Sequence, residues 1–438
     1  MKPQIQSPRN GDSPPREAFH ADYRSLVLRD RIHSSVYTSD EVFNEELRRI
    51  FYEGWVYVGH ESEVPNAGDF VTRTIGLEPV LMVRDLDGTV RVLCNRCTHR
   101  GNMLRKADRG NAKVLACSYH NWTFTLSGEL KSFPFPSGFA ADRAALNLAR
   151  PELVDSHQGF VFASFSAEAG PLSAHLGRGA RILDRAARMS PAGKLRLTAG
   201  WVRHHMSCNW KMLPENATDG YHATALHSSF FKVFRTQYDS AMAQEKERVA
   251  ETIDWGGGHV ELNFAKRYTK PLEWLGSSEE RLPNYVAEMG RAYGDTEARK
   301  ILLEGPPHAS IFPNLFIGET NVVIFQPLSA NACVQWHTPI LLDGVEESLN
   351  TRFIRQSEGA MGPSAFLLPD DSVVSELQQM AMSGRGGWLD LSRGLNREEY
   401  RDGVVVSHGT DEVSNRGFWK HYVDVMQRSG GLIDGADH

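Results

Sequence analysis

The stretch CTHRGNMLRKADRGNAKVLACSYHNWTF, residues 97–124, contains two short pairs, Cys97 with His99 and Cys117 with His120. Four nitrogen and sulfur ligands on two loops read first as a metal site. Zinc sites of the Cys2His2 type usually supply two cysteines and then two histidines. Here each loop supplies one of each. A [2Fe–2S] cluster with two thiolates on one iron and two imidazoles on the other needs that supply. Neutral imidazoles in place of thiolates make such a cluster less negative and easier to reduce. Gly101 and Gly128 permit tight loops around it. Cys94, in VRVLC, reads as a core-facing strand residue and not as a fifth ligand. Zinc, and buried thiols without any metal, are the competing readings.

Outward from this stretch the sequence divides by texture. Residues 1–38 are polar and Pro-rich at the start and read as a leader, partly disordered. Residues 39–54, SDEVFNEELRRIFYEG, have the apolar spacing of a helix capped by Ser39 or Asp40 and ended by Gly54, packing on the larger domain. Residues 55–165 alternate in short runs such as DFVTRTI and GFVFASF, which suggests a small β sandwich or barrel carrying the Cys/His pairs. Residues 166–438 mix helix and strand patterns. The fold class expected is α+β, an all-β N-terminal domain followed by helices on an antiparallel sheet. The 438 residues carry a net charge of −6, which excludes a general attraction to nucleic acid or to anionic membranes. No apolar run is long enough to span a membrane, and five cysteines suit a reducing cytoplasm.

A cluster only carries electrons, so a site that uses them is expected. Residues 207–230, SCNWKMLPENATDGYHATALHSSF, offer Asp219, His222 and His227. Mononuclear Fe(II) oxygenases bind the metal with two histidines and one carboxylate on one face. A helix would put Asp219 and His222, three apart, on one side, whereas His222 and His227, five apart, meet one ion only if the helix ends, bends or bulges between them. Exposed histidines on an amphipathic helix are the plainer explanation. WGGGHV at 255–260 lacks the spacing and context of a dinucleotide fingerprint, so no NAD site is expected in this chain.

These motifs together resemble the large (α) subunits of Rieske non-haem iron aromatic-ring-hydroxylating oxygenases. C-x-H-R followed by C-x-x-H is similar to the Rieske motif, and N-W-K, E-N and D-x-Y-H-x4-H to the iron motif; the resemblance runs from residue 39 to 428. It implies a Rieske [2Fe–2S] cluster on Cys97, His99, Cys117 and His120. It implies mononuclear Fe(II) on His222, His227 and a carboxylate after Gly362-Pro363, where the register favours Asp371 and leaves Asp370 as a helix cap. Asp219 becomes the residue bridging an iron-ligating histidine to the cluster histidine of a neighbouring subunit, His120, and Asn216 an amide near the iron. The implied reaction is insertion of both atoms of O2 into an aromatic ring to give a cis-dihydrodiol. NADH would supply electrons through a separate reductase, with or without a ferredoxin. The assembly would be an α3 or α3β3 trimer with a small β subunit.

Pocket candidates are Ala217, Ala223, Leu226 and Phe230, with Phe312, Phe325, Met361, Phe366 and Leu367 further along, although each could equally be plain core. The strand NVVIFQPLS lacks an arginine, which weakens a dicarboxylate substrate; Arg352 and Arg355 could still hold an anion. A substituted monocyclic arene or aromatic acid is favoured. Monohydroxylation or O/N-demethylation is the near alternative, and a non-catalytic zinc-stabilised binding protein the distant one.

Overall fold

The computed structural model describes residues 21–138, 142–234 and 250–428. Around the Cys/His pairs lie three small antiparallel sheets. One orders Val90–Cys94, Glu78–Arg84, Asp69–Ile75 and Arg109–Asn111. A second, of Leu115–Ala116, Thr123–Phe124 and Leu130–Ser132, carries the other loop. The third joins Leu153–His157, Phe160–Ser164 and Val56–His60. Leu81, Val83, Leu93, Leu115, Trp122 and Phe124 form the core between the two loops. Cys94 is a buried strand end, as its alternation implied.

The remainder is built on a nine-stranded antiparallel sheet. Its order is Val202–Met206, Ala332–Pro339, Asn321–Ser329, Leu315–Gly318, His308–Ile311, His259–Asn263, Glu251–Gly256, Val404–His408 and Glu399–Arg401. Helices Glu347–Met361, Leu368–Met382 and Val413–Met426 pack on it, so the class is α+β. The two β regions are tied directly. Asn314 holds the backbone N–H and C=O of Tyr57 at 3.0 Å each, and Arg203 pairs with Asp108 while lying 4.0 Å from the Trp336 ring centroid. No described helix is long and apolar enough to cross a membrane.

Three local expectations change. Residues 1–20 lie outside the described residues, but 21–38 are part of the fold: Tyr23, Ile32, Val36 and Tyr37 are buried, and Tyr37 reaches Glu215 at 2.9 Å. Ser39 caps the next helix through the Val42 N–H, 3.2 Å. That helix is α-helical only over Asp40–Glu46 and then widens to a π-helix over Leu47–Tyr52. At the change, Glu46 is drawn fully inside, accepting from Lys211 (2.6 Å), Trp210 Nε1 (2.9 Å) and Tyr422 (2.7 Å). The second long helix starts at Leu368 with Pro369 in its first turn, and Leu367 is the cap. Asp370 therefore lies inside the first turn and does not cap it.

Candidate metal centres

The two Cys/His loops have matching geometry. In the first, the Cys97 N–H donates to Asn102 O (2.9 Å) and the Gly101 N–H returns to Cys97 O (2.9 Å). In the second, the Cys117 N–H donates to Trp122 O (2.7 Å) and the Asn121 N–H to Cys117 O (3.0 Å). Both loops close through a left-handed residue, Gly101 at φ +69° and Asn121 at φ +56°. The loops meet at their tips. The Cys97 and Cys117 thiols are within hydrogen-bonding reach, and the His99 and His120 ring centroids are 4.4 Å apart.

Backbone N–H groups of His99 and Arg100 point at the Cys97 sulfur, and those of Tyr119 and His120 at Cys117. Burial pushes both thiols up; at Cys117 these donors outweigh it and the net direction is down. Amides aimed at sulfur favour the thiolate, the form that ligates iron. Two thiols and two imidazoles converging from opposite loops fit a [2Fe–2S] cluster.

Sequence reasoning missed the supports of this site. Asn102 Nδ2 lies 3.6 Å from Cys117 Sγ and crosses between the loops. Trp122 stacks on His99 at 4.8 Å and 4°. Arg105 donates to the carbonyls of Leu104, Ala116 and Val114, so it fastens one loop to the other. The signal was present in the polar Asn102 and in the Trp122 that follows the second pair.

The second site forms where a short helix fails to continue. Helix Met212–Ala217 stops, Asp219 sits in a non-helical link, and a single turn, Ala223–Leu226, separates His222 from His227. His227 ends that turn at φ −92°, ψ 27°, and a new helix begins at Ser228. This break is the one that five-residue spacing required. Asp219 does not share a helix with His222. It reaches back from the link, accepting the Tyr221 N–H (2.6 Å) and facing His222 Nδ1 at 3.0 Å. Burial disfavours a charged His222, but the bond and charge of Asp219 and the charge of Asp371 outweigh it and raise its pKa.

Asp371 completes a triangle. Its Oδ1 lies 3.2 Å from His227 Nε2 and 3.6 Å from His222 Nε2, and the two Nε2 atoms are 3.2 Å apart. Three ligands on one face of an octahedral ion at about 2.1 Å are about 3.0 Å from each other. The triangle is close to that size, and three lone pairs pointing at one another repel unless a cation lies between them. These residues are the one group among the described residues with the spacing to hold an ion. Asp370 reaches only His227 Nδ1, at 3.6 Å. Asn216 Nδ2 donates to Asp371 Oδ1 at 3.2 Å.

The pocket candidates separate. Ala217, Ala223, Leu226 and Phe230 lie in or beside the ligand segment, and the Ala217 carbonyl accepts from His308 Nε2 at 2.8 Å. Phe325 is buried on the sheet. Met361 ends the helix Glu347–Met361, and Phe366 and Leu367 lie on the connection into the Asp371 helix, with Phe366 partly exposed. Phe312 packs against Phe418 and His421 of the last helix. Arg352 donates through Nη2 to the Leu275 and Gly276 carbonyls, and Arg355 is exposed.

Comparison with known proteins finds two matching families along the chain. Residues 54–147 match the Rieske [2Fe-2S] domain, and residues 196–428 match the ring hydroxylating alpha subunit (catalytic domain). The Rieske match decides between the cluster and the zinc or metal-free readings. The large oxygenase component of the 2,4-dinitrotoluene dioxygenase system of Burkholderia sp. (strain RASC) is 29% identical, covering 88% of this chain and 89% of that one. The 2-halobenzoate 1,2-dioxygenase large subunit of Burkholderia cepacia is 29% identical over 83% of this chain and 80% of its own. A solved naphthalene 1,2-dioxygenase with indole in its active site superposes with a TM-score of 0.83 at 26% identity, covering 93% of this chain and 94% of that one.

Proposed function

The chain belongs to the Rieske ring-hydroxylating oxygenase large-subunit family, and from that premise we propose that it inserts both atoms of O2 into an aromatic ring to give a cis-dihydrodiol. It is an oxidoreductase, the large subunit of a terminal oxygenase. The observation that carries the reading is the triangle of His222, His227 and Asp371 with Asp219 directly behind His222.

Cys97, His99, Cys117 and His120 would hold the cluster, and His222, His227 and Asp371 would hold the iron. Bound there, the cluster supplies single electrons and the Fe(II) supplies O2 activation. The protein's own contribution is orientation and tautomer control. With Asp219 accepting the His222 Nδ1–H, the Nε2 lone pair is left free and would ligate the metal. Asn216 holds Asp371 in register with it. His308 fixes the intervening loop through the Ala217 carbonyl.

Asp219 keeps a quarter of its side chain exposed, which lets it meet a second chain. Thr98, Arg100, Ser118 and Tyr119 surround the cluster loops and are exposed. Both features support a trimer in which the loops of one subunit dock beside the Asp219 of the next, alone or with a small β subunit. NADH reaches it through a reductase, with or without a ferredoxin. The relatives named for dinitrotoluene and for halobenzoate match at the same 29% identity, so their names do not choose a substrate. A substituted monocyclic arene is the class favoured.

The test is a single turnover of the reduced, iron-loaded oligomer with labelled O2 and a panel of arenes, read by mass spectrometry. Two labelled oxygens in one product are expected. One labelled oxygen, or loss of a methyl group, would overturn dioxygenation.

A further inference from the structure

The wall of the large sheet next to the metal triangle carries polar side chains with no protein partner. Cross-strand partners in a sheet share a face. Ser310 pairs with Phe316, Phe316 with Val323, Val323 with His337, Phe325 with Gln335, and Gln335 with His204. With the two-residue alternation along each strand, His308, Ser310, Phe325, His337 and His204 lie on one face. Both ends of that face are tied to the metal site. His308 binds the Ala217 carbonyl beside Asn216. His204 donates to the Met361 carbonyl, just before the connection to Asp371, and the Asp371 helix packs on the His204 strand.

On this face His204 Nε2, His308 Nδ1, His337 Nδ1 and Ser310 Oγ are buried with no hydrogen-bond partner in the chain. His337 is 2% exposed and Ser310 3%. Buried polar atoms are almost always paired, so four on one face mark a place where something else supplies the partner. The two imidazoles His204 and His337 stack with centroids 5.2 Å apart and 14° between planes.

Their protonation states give this wall a sign. Burial holds both below the ordinary histidine range, His337 down to about 4 with His204 contributing, so both are neutral. A neutral imidazole has one N–H and one lone pair. His204 uses its Nδ1–H on Met361 O, so its buried Nε2 is an acceptor. His308 uses Nε2–H on Ala217 O, so its buried Nδ1 is an acceptor as well.

Resting on the oxygenase reading above, we propose that this wall is a specificity subsite that selects arenes bearing an O–H or N–H donor, with His204 Nε2 as acceptor and His337 and Ser310 beside it. Hydroxyarenes and aminoarenes fit it. A plain hydrocarbon leaves the acceptors unpaired, and a fully ionised carboxylate presents oxygen lone pairs to nitrogen lone pairs.

The experiment measures binding of phenol, aniline, toluene and benzoate to the iron-loaded oligomer by calorimetry, followed by labelled-O2 turnover of each. Phenol and aniline are expected to bind at least about tenfold tighter than toluene, the usual cost of a buried unpaired polar group. His204→Leu should remove most of that preference while toluene binding holds or improves, and Ser310→Ala, a milder change, should narrow it. Equal wild-type affinities for phenol and toluene would overturn the proposal without any variant, as would tighter benzoate binding. An unchanged ratio in both variants would overturn it too. The oxygenase reading fails separately, if donor-bearing arenes bind selectively but none of the four takes up labelled oxygen.

Discussion

Replacing Glu215 by Gln should change how the stability of this protein depends on pH. Glu215 is largely buried in the helix that leads into the iron-ligand segment, accepting from the Tyr37 hydroxyl at 2.9 Å on each oxygen and from Trp419 Nε1. Burial raises its pKa from 4.5 to about 7, against the opposing effect of the two donors, with Glu412 adding to the rise and Lys211 opposing it. The folded pKa lies above the unfolded one, so folding takes up a proton between them. The stabilising contribution of the neutral acid is complete below pH 4.5 and is lost as pH climbs through about 7. That interval is worth roughly 3–4 kcal/mol at about 1.4 kcal/mol per pH unit.

Unfolding entropy of about 2.1 cal/mol/K per residue gives about 0.9 kcal/mol/K for 438 residues, so the loss amounts to about 4 °C in Tm. Glutamine is a neutral isostere: its oxygen can accept from Trp419, its amide can donate to the Tyr37 oxygen, and it does not titrate. Thermal melts of both proteins at equal metal content, from pH 4.5 to 8.5, should show the variant gaining about 4 °C relative to wild type across that range. Glu412, also raised to about 7, titrates in both proteins, and its repulsion with Glu215 is absent from the variant, which acts in the same direction. A difference in Tm that stays flat with pH would refute the reasoning.

Other expectations are simpler. Lys211→Met leaves the fully buried Glu46 without its cation and should cost about 3–5 kcal/mol, read by denaturant unfolding; Glu46→Gln in the same chain should return part of it. Asp219→Asn should retain both metals by elemental analysis and keep the red-brown cluster spectrum, yet reoxidation of the reduced cluster on adding substrate and O2 should nearly stop. His227→Ala should lower mononuclear iron to near zero while leaving two cluster irons per chain.

The parts of this molecule legible in the sequence are those whose partners are close along the chain. Cys97 with His99, and Cys117 with His120, declare themselves because each loop holds its own pair. The break between His222 and His227 was legible because a regular helix cannot bring them together. Asp371 was favoured over Asp370 only through the register of the family that the chain resembles, since nothing in its local chemistry separates the two. What escaped depends on distant packing. The π-helical turn after Glu46 exists because that carboxylate is pulled onto Trp210, Lys211 and Tyr422. Residues 21–38 looked like leader because the partners of Tyr37 lie far along the chain. His204 and His337 fall on one face only once the pairing of three strands is known.

The metal triangle also has a consequence for the life of the apoprotein. Two of its corners come from one short segment, while the third arrives on a helix that is distant in sequence. An ion bound there cross-links the chain, and anything that binds the folded form alone shifts the folding balance by mass action. Iron bound there would be a staple as well as a reactant, and the apoprotein's ligand segment would open more easily to proteases than that of the loaded protein.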